Sequence, residues 1–176
     1  MKSLYKLLII ITKNSSLFSL RLLRGFRYFL YRKYLNSPYL YVADRVTIVK
    51  AHSNKGAFFK AEGEVNIGDD VYIDYSGTIK LGKSIAISEG AKIFTHNHSI
   101  HDGKKNWKVN PIKFNLLEIR DYAWIGANAI ILPSVSFIGE GAIIAAGAVL
   151  TKNAEDYGIY AGNPAIKIGQ RRINEE

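Results

Sequence analysis

Aliphatic side chains recur along this chain at a spacing of six. Four successive triplets can be read: Ile67, Ile73, Ile79; Leu81, Ile87, Ile93; Ile119, Ile125, Ile131; and Ile138, Ile144, Leu150. A strand alternates its side chains with period two, which divides six, so the marked residues point to one side of an extended backbone. That side must be an interior. Positions not used to find the pattern test it. Four residues after the starting positions stand Val71, Gly77, Ile85, Ala91, Ala123, Ala129, Val135, Ala142 and Ala148, all small or aliphatic. Such residues fill roughly a third of an average chain, so chance gives this agreement on the order of once in ten thousand or less. One residue after the same starts, small side chains dominate, as a tight corner requires; Asp74, Arg120 and Leu132 depart from that rule.

The pattern predicts a parallel β-helix, each triplet forming one triangular coil. Val42 and Ile48 open an imperfect first coil, and Ala51 to Gly63 reads as irregular. The pairs Val65/Ile67, Ile79/Leu81 and Leu117/Ile119 predict corners with two added residues, by which one coil climbs to the next. Ile131 to Ile138 is a step of seven, which predicts a one-residue bulge at Ser136 or Phe137.

On these residues the chain resembles the hexapeptide-repeat acyltransferases. The resemblance covers roughly residues 41 to 170 and implies a mainly β fold, a left-handed parallel β-helix solenoid; to this the residue pattern adds an N-terminal amphipathic helical segment and a short C-terminal tail. It also implies acetyl-CoA as co-substrate and a homotrimer. The expected divisions are 1–38, helical and basic; 41–160, the β-helix, with a loop excursion at 96–116; and 161–176, a tail on the coenzyme side.

The N-terminal segment has a different period. Residues 4 to 12 are a short apolar run interrupted by Lys6, well below the roughly 20 residues a membrane span needs, and no small-x-small cleavage site follows. From Leu17 to Leu35 the pattern is helical, with Phe18, Leu22, Phe26, Phe29 and Leu30 on one side and Arg21, Arg24, Arg27 and Arg32 on another. Ser16 stands as an N-cap and Pro38 as a stop. Residues 1–36 hold eight of the 24 basic residues and no acid, so nearly all of the net charge of +9 sits there. Two readings stay open: a basic amphipathic helix in an anionic membrane interface, or a helix across the end of the solenoid. One helix can do both. No nucleic-acid module accompanies the basic side. The absence of Cys excludes disulfides, cysteine-based zinc sites and a thiol nucleophile, and fits a cytoplasmic protein, peripheral on the inner face of the cell membrane if the helix binds there.

Candidate chemistry lies where the repeat stops after Ile93. Three of the four histidines, His96, His98 and His101, fall in seven residues of a polar excursion. Acyl transfer from a thioester to a hydroxyl needs a base for the hydroxyl proton, and neutral imidazole suits this near pH 7. Thr95-His96-Asn97-His98-Ser99 resembles the family segment that carries the base, which implies His98 first, His96 second and His101 third. Hexapeptide-repeat carbonic anhydrases hold zinc with three histidines, but their ligands lie far apart in sequence, so this local cluster of His96, His98 and His101 fits that pattern poorly and no metal is expected. Ala123-Trp124-Ile125-Gly126-Ala127-Asn128 resembles the segment lining the acyl-donor groove, with Trp124 and Ala127 as candidates. Ala145-Ala146-Gly147-Ala148-Val149-Leu150-Thr151-Lys152 resembles the coenzyme A segment, which brings in Ala146, Thr151 and Lys152; Ala161-Gly162-Asn163-Pro164-Ala165 resembles a C-terminal signature beside the adenine, with Lys167, Arg171 and Arg172 offered to phosphates. Together these imply an acetyl-CoA-dependent O-acetyltransferase of a saccharide or lipid-linked glycan, as in capsule, exopolysaccharide or lipopolysaccharide synthesis. N-acetylation of an amino-sugar nucleotide and a non-catalytic β-helix scaffold are the alternatives.

Overall fold

The computed structural model describes residues 2–101 and 103–173. Two helices, α1 (Lys2–Lys13) and α2 (Arg24–Leu35), flank a 3-10 turn at Ser16–Ser19. The coils follow. β1 (Leu40–Val42), β2 (Thr47–Val49) and β3 (Phe59–Ala61) make the first; β4 (Val65–Ile67), β5 (Tyr72–Asp74) and β6 (Ile79–Leu81) the second. The third holds β7 (Ile85–Ile87), β8 (Lys92–Ile93), the excursion strands β9 (His96–His98) and β10 (Ile112–Phe114), and β11 (Leu117–Ile119). The fourth is β12 (Trp124–Ile125), β13 (Ile130–Ile131) and β14 (Phe137–Ile138); β15 (Ile143–Ile144) and β16 (Val149–Leu150) begin the last, which ends in β17 (Gly158–Gly162) and β18 (Ala165–Gln170).

Each side of the prism is a parallel sheet. The first runs β1-β4-β7-β12-β15-β17, with β18 added antiparallel; the second β2-β5-β8-β13-β16; the third β3-β6-β11-β14. Like residues stack on like: Ile48 on Ile73, Ile73 on Ile93, Ile93 on Ile131, Ile131 on Leu150. All twelve side chains of the six-residue pattern are at most 2% exposed, and the small residues at the fourth position are buried beside them except Gly77. Small side chains at the corners let the backbone approach the next coil closely; a Cβ on Gly126, for instance, would meet Ala146 N at 2.6 Å.

Two local expectations are corrected, and a third is narrowed. The aliphatic-x-aliphatic pairs are not lengthened corners: each lies within one three-residue strand, β4, β6 or β11, with both ends buried and only the middle residue turned outward. Phe137 belongs to β14, so of the two positions named for the bulge only Ser136 lies outside a strand; Ser136 N and Phe137 N both donate to Asn153 Oδ1. The helical period from Leu17 to Leu35 breaks before Arg24, leaving Leu22 95% exposed, while the apolar run at 4–12 is itself helix.

Helix α2 turns Arg27, Leu30, Tyr31 and Leu35 inward onto the first coil. Arg27 therefore does not belong to an exposed basic side. Its Nε donates to Val42 O at 2.9 Å, and its Nη1 donates to Phe18 O at 3.0 Å and pairs with the Asp44 carboxylate. Tyr31 Oη donates to Val46 O at 2.7 Å, and burial drives its phenol well above its ordinary range. Arg32 donates to Leu40 O at 2.8 Å and stacks over Tyr41. Helix α2 thus closes one end of the solenoid, covering strand β1 and the apolar interior behind it. No helix among the described residues is long and apolar enough to cross a membrane.

Candidate active site

The site begins with a side chain that breaks the small-corner rule. Asp74 ends β5 and is completely buried. Its Oδ1 accepts from Ser76 Oγ at 2.5 Å, Ser76 N at 3.0 Å and Ala51 N at 3.2 Å; its Oδ2 faces His96 Nδ1 at 2.5 Å. Burial pushes the carboxyl upward, but the hydrogen bonds from Ser76, His96 and Ala51 outweigh it and hold the group below its usual range. An ionised carboxylate only accepts, so His96 Nδ1 donates to it, which is the tautomer that leaves Nε2 as the acceptor whenever the ring is neutral.

Strand β9 presents His96 and His98 on one side of a hairpin, paired antiparallel with β10 so that His96 faces Phe114 and His98 faces Ile112. The hairpin leaves the third coil through a pinch: Asn115 N donates to Thr95 O at 2.8 Å, and a Cβ on Gly77 would lie 2.0 Å from Asn115 O and 2.3 Å from Thr95 O. Gly77 has space for no larger residue. Further out, Ser99 N donates to Pro111 O at 2.8 Å.

A third ring joins them that the sequence pattern missed. His52 follows β2 and lies against His96, ring centroids 4.4 Å apart, and against His98 at 5.3 Å; His96 and His98 are 5.9 Å apart. Its backbone N donates to Ser76 Oγ at 2.9 Å. Burial lowers the His52 pKa, and the neighbouring imidazoles lower it further. His101, by contrast, is exposed on the excursion and outside this group, so the local set His96, His98, His101 is not the one the fold assembles.

The candidate donor residues fall on two edges of the prism. Trp124, Ala127 and Ala146 line an open groove of about 370 Å³ with Ser88, Gly126 and Ala145, at the edge between the first and second sheets. Trp124 is half exposed there, its Nε1 donating to Ser88 Oγ at 2.9 Å. Thr151 and Lys152 follow β16, on the opposite edge of the second sheet, in the column of Phe94 and Thr95 two coils earlier, just before the strand that carries His96. Neighbouring strands are 4.7–4.9 Å apart, so that backbone separation is roughly 10 Å. Lys167 lies on β18, which adds to the first sheet beyond β17, and its Nζ pairs with Glu155 at 2.6 Å. Arg171 reaches back to the carbonyls of Tyr122 and Gly141. Both cations are engaged by their own chain.

No family model matches the chain. Among solved structures, a maltose O-acetyltransferase from Clostridium difficile 630 superposes with a TM-score of 0.77 at 20% identity, covering 98% of this chain and 87% of that one. A hexapeptide-repeat-containing acetyltransferase from Vibrio cholerae O1 biovar eltor, complexed with acetyl coenzyme A, gives 0.76 at 19% identity, covering 98% and 86%. The fold is that of the hexapeptide-repeat acetyltransferases. Superposition at this level requires a common hand, the left-handed winding that the resemblance implied, and it extends through the N-terminal helices, beyond residues 41 to 170. Among curated sequences, the "Probable macrolide acetyltransferase" of Lysinibacillus sphaericus is 37% identical over 114 residues, 54% of this chain and 61% of that protein. The chain spans between about a fifth and three fifths of the length of the curated relatives it matches.

Proposed function

We propose that this chain is an acetyl-CoA-dependent O-acetyltransferase acting on a saccharide hydroxyl. The observation that carries this reading is the pair of imidazoles on β9, one of them gripped by a buried carboxylate, on the same edge as Thr151 and Lys152. Likeness to a maltose O-acetyltransferase and to an acetyltransferase that binds acetyl coenzyme A supports the donor and the acceptor class.

In this mechanism the acceptor oxygen attacks the thioester carbonyl carbon as His98 takes its proton. Collapse of the tetrahedral intermediate breaks the carbon–sulfur bond, and the departing thiolate recovers the proton from the imidazolium. One observation favours a second reading in which His96 is the base: Asp74 fixes its tautomer and stabilises the charge it would acquire. The donor groove at Trp124, Ala127 and Ala146 lies across the second sheet from the histidines. At about 3.3 Å per residue that face is roughly 15 Å wide. A homotrimer would set the groove of one copy against the histidines of another.

The acceptor is proposed to be a lipid-linked glycan at an anionic membrane, reached through the N-terminal helices on the inner face. Leu4, Leu7, Ile10 and Ile11 of α1 and Leu17, Leu20 and Leu22 beyond it are all more than half exposed, beside Lys2, Lys6, Arg21 and Arg24.

Incubation of candidate glycans with isotopically labelled acetyl-CoA and mass spectrometry tests the activity directly. His98→Ala should lower kcat by about 10²–10⁴-fold while coenzyme A still binds. If His98→Ala is unimpaired and His96→Ala carries that loss, the second reading holds; if neither variant is slowed, histidine base catalysis is wrong.

A further inference from the structure

We infer that His52, His96 and His98 form a binding site for a borderline-soft divalent cation such as Zn²⁺, and that the bound ion switches off acyl transfer. The second half of this inference rests on the proposed acetyltransferase reading; the first does not.

Three imidazoles from two separate parts of the chain each offer one nitrogen, and all three atoms lie within 4.8 Å of one another. A tetrahedral zinc ion with bonds of about 2.0–2.1 Å sets its ligand nitrogens roughly 3.3 Å apart. The rings therefore need to close by only about an ångström and a half, a movement of side chains on a corner and a hairpin. Imidazole nitrogen suits a borderline-soft ion of this kind. Most telling is what stands behind His96. Zinc-bound histidines typically donate their second ring N–H to a carboxylate, which orients the ring and makes the ligating nitrogen more basic. Asp74 does this at 2.5 Å, fully buried and fixed in turn by Ser76 and Ala51.

The three rings are half-buried rather than enclosed, so a fourth coordination position faces outward. Three protein ligands with one open position is a catalytic-type geometry. Here, however, the ligating lone pairs are those proposed to receive the acceptor's proton. An ion that holds them removes the base, and transfer stops until it leaves. His52 comes from outside the hairpin that carries the other two rings, so its substitution reports on the ion site.

The test uses the full chain, stripped with EDTA and desalted. Titration with Co²⁺ should produce the visible bands of tetrahedral cobalt at one ion per chain, and Zn²⁺ should displace it. His52→Ala should weaken the affinity by at least about tenfold, with His52→Gln as the alternative if the alanine variant melts early. His101→Ala should leave the affinity intact. Relative to each protein's own metal-free rate, the Zn²⁺ concentration that halves transfer should be higher in His52→Ala than in the wild type by the same factor as the metal dissociation constant. Absence of cobalt bands, or bands unchanged in both His52→Ala and His96→Ala, overturns the site. Full metal loading with undiminished transfer overturns the switch. A protein that binds cobalt through His52 yet acetylates nothing keeps the site and refutes only the acetyltransferase reading.

Discussion

Asp74 stands one residue after an interior rung, where most other coils place a small side chain, and it is buried. A carboxylate in such a place is strongly disfavoured unless donors surround it. Ser76, Ala51 and His96 supply them. Asp74→Asn keeps the shape but cannot offer an anion to the His96 ring, so the preferred tautomer is lost. We expect kcat to fall by about 10²-fold, coenzyme A affinity to hold, and the stability measured by urea titration to drop by about 1–3 kcal/mol. Unaltered kcat would divorce Asp74 from catalysis. The sequence marked this residue only as a departure from the corner rule, because nothing local named its partner. His96 and His98 were legible from their crowding. His52 was not, since it sits in the stretch read as irregular. Once Ile48 is seen to stack on Ile73 and Ile73 on Ile93, the residues after β2 fall over those after β8, and the third histidine follows.

Helix α2 shows the limit of a periodic pattern read without its surroundings. Its arginines looked like one basic side, yet Arg27 is buried against Asp44, a partner seventeen residues away on the first coil. Helical spacing identifies which residues share a side but not which side meets the solenoid. Leu30 was placed with Phe26 and Phe29, although Leu30 is buried and the two phenylalanines are more than 40% exposed. What remains outward is the apolar row of α1 with lysines beside it. Replacing both Leu7 and Ile11 with Glu should abolish co-sedimentation with vesicles rich in anionic lipid, and should shift stability by no more than about 0.5 kcal/mol per site because both side chains are exposed. Equal co-sedimentation of variant and parent would leave helix α1 as a cap and nothing more.

At the level of the molecule, the six-residue period was sufficient to read three walls and the direction of stacking, because a solenoid repeats one local rule. It could not show that the donor groove and the histidines occupy different edges, since that depends on where each coil begins. That separation makes assembly testable: sedimentation equilibrium should give three times the chain mass of 19.7 kDa, and a monomer that is fully active would contradict the shared site. The stacked register has another consequence. Val65 lies beside Ile85, so residues 65–84 constitute one storey, and a tandem copy of them can be spliced in with the ladder continuing above and below. Such an insertion would lift His52 about 4.8 Å further from His96, while the duplicated carboxylate still sits beneath the His96 ring. Cobalt affinity should vanish and proton transfer should persist, so the height of the tower, with no side chain altered, would tell the two chemistries apart.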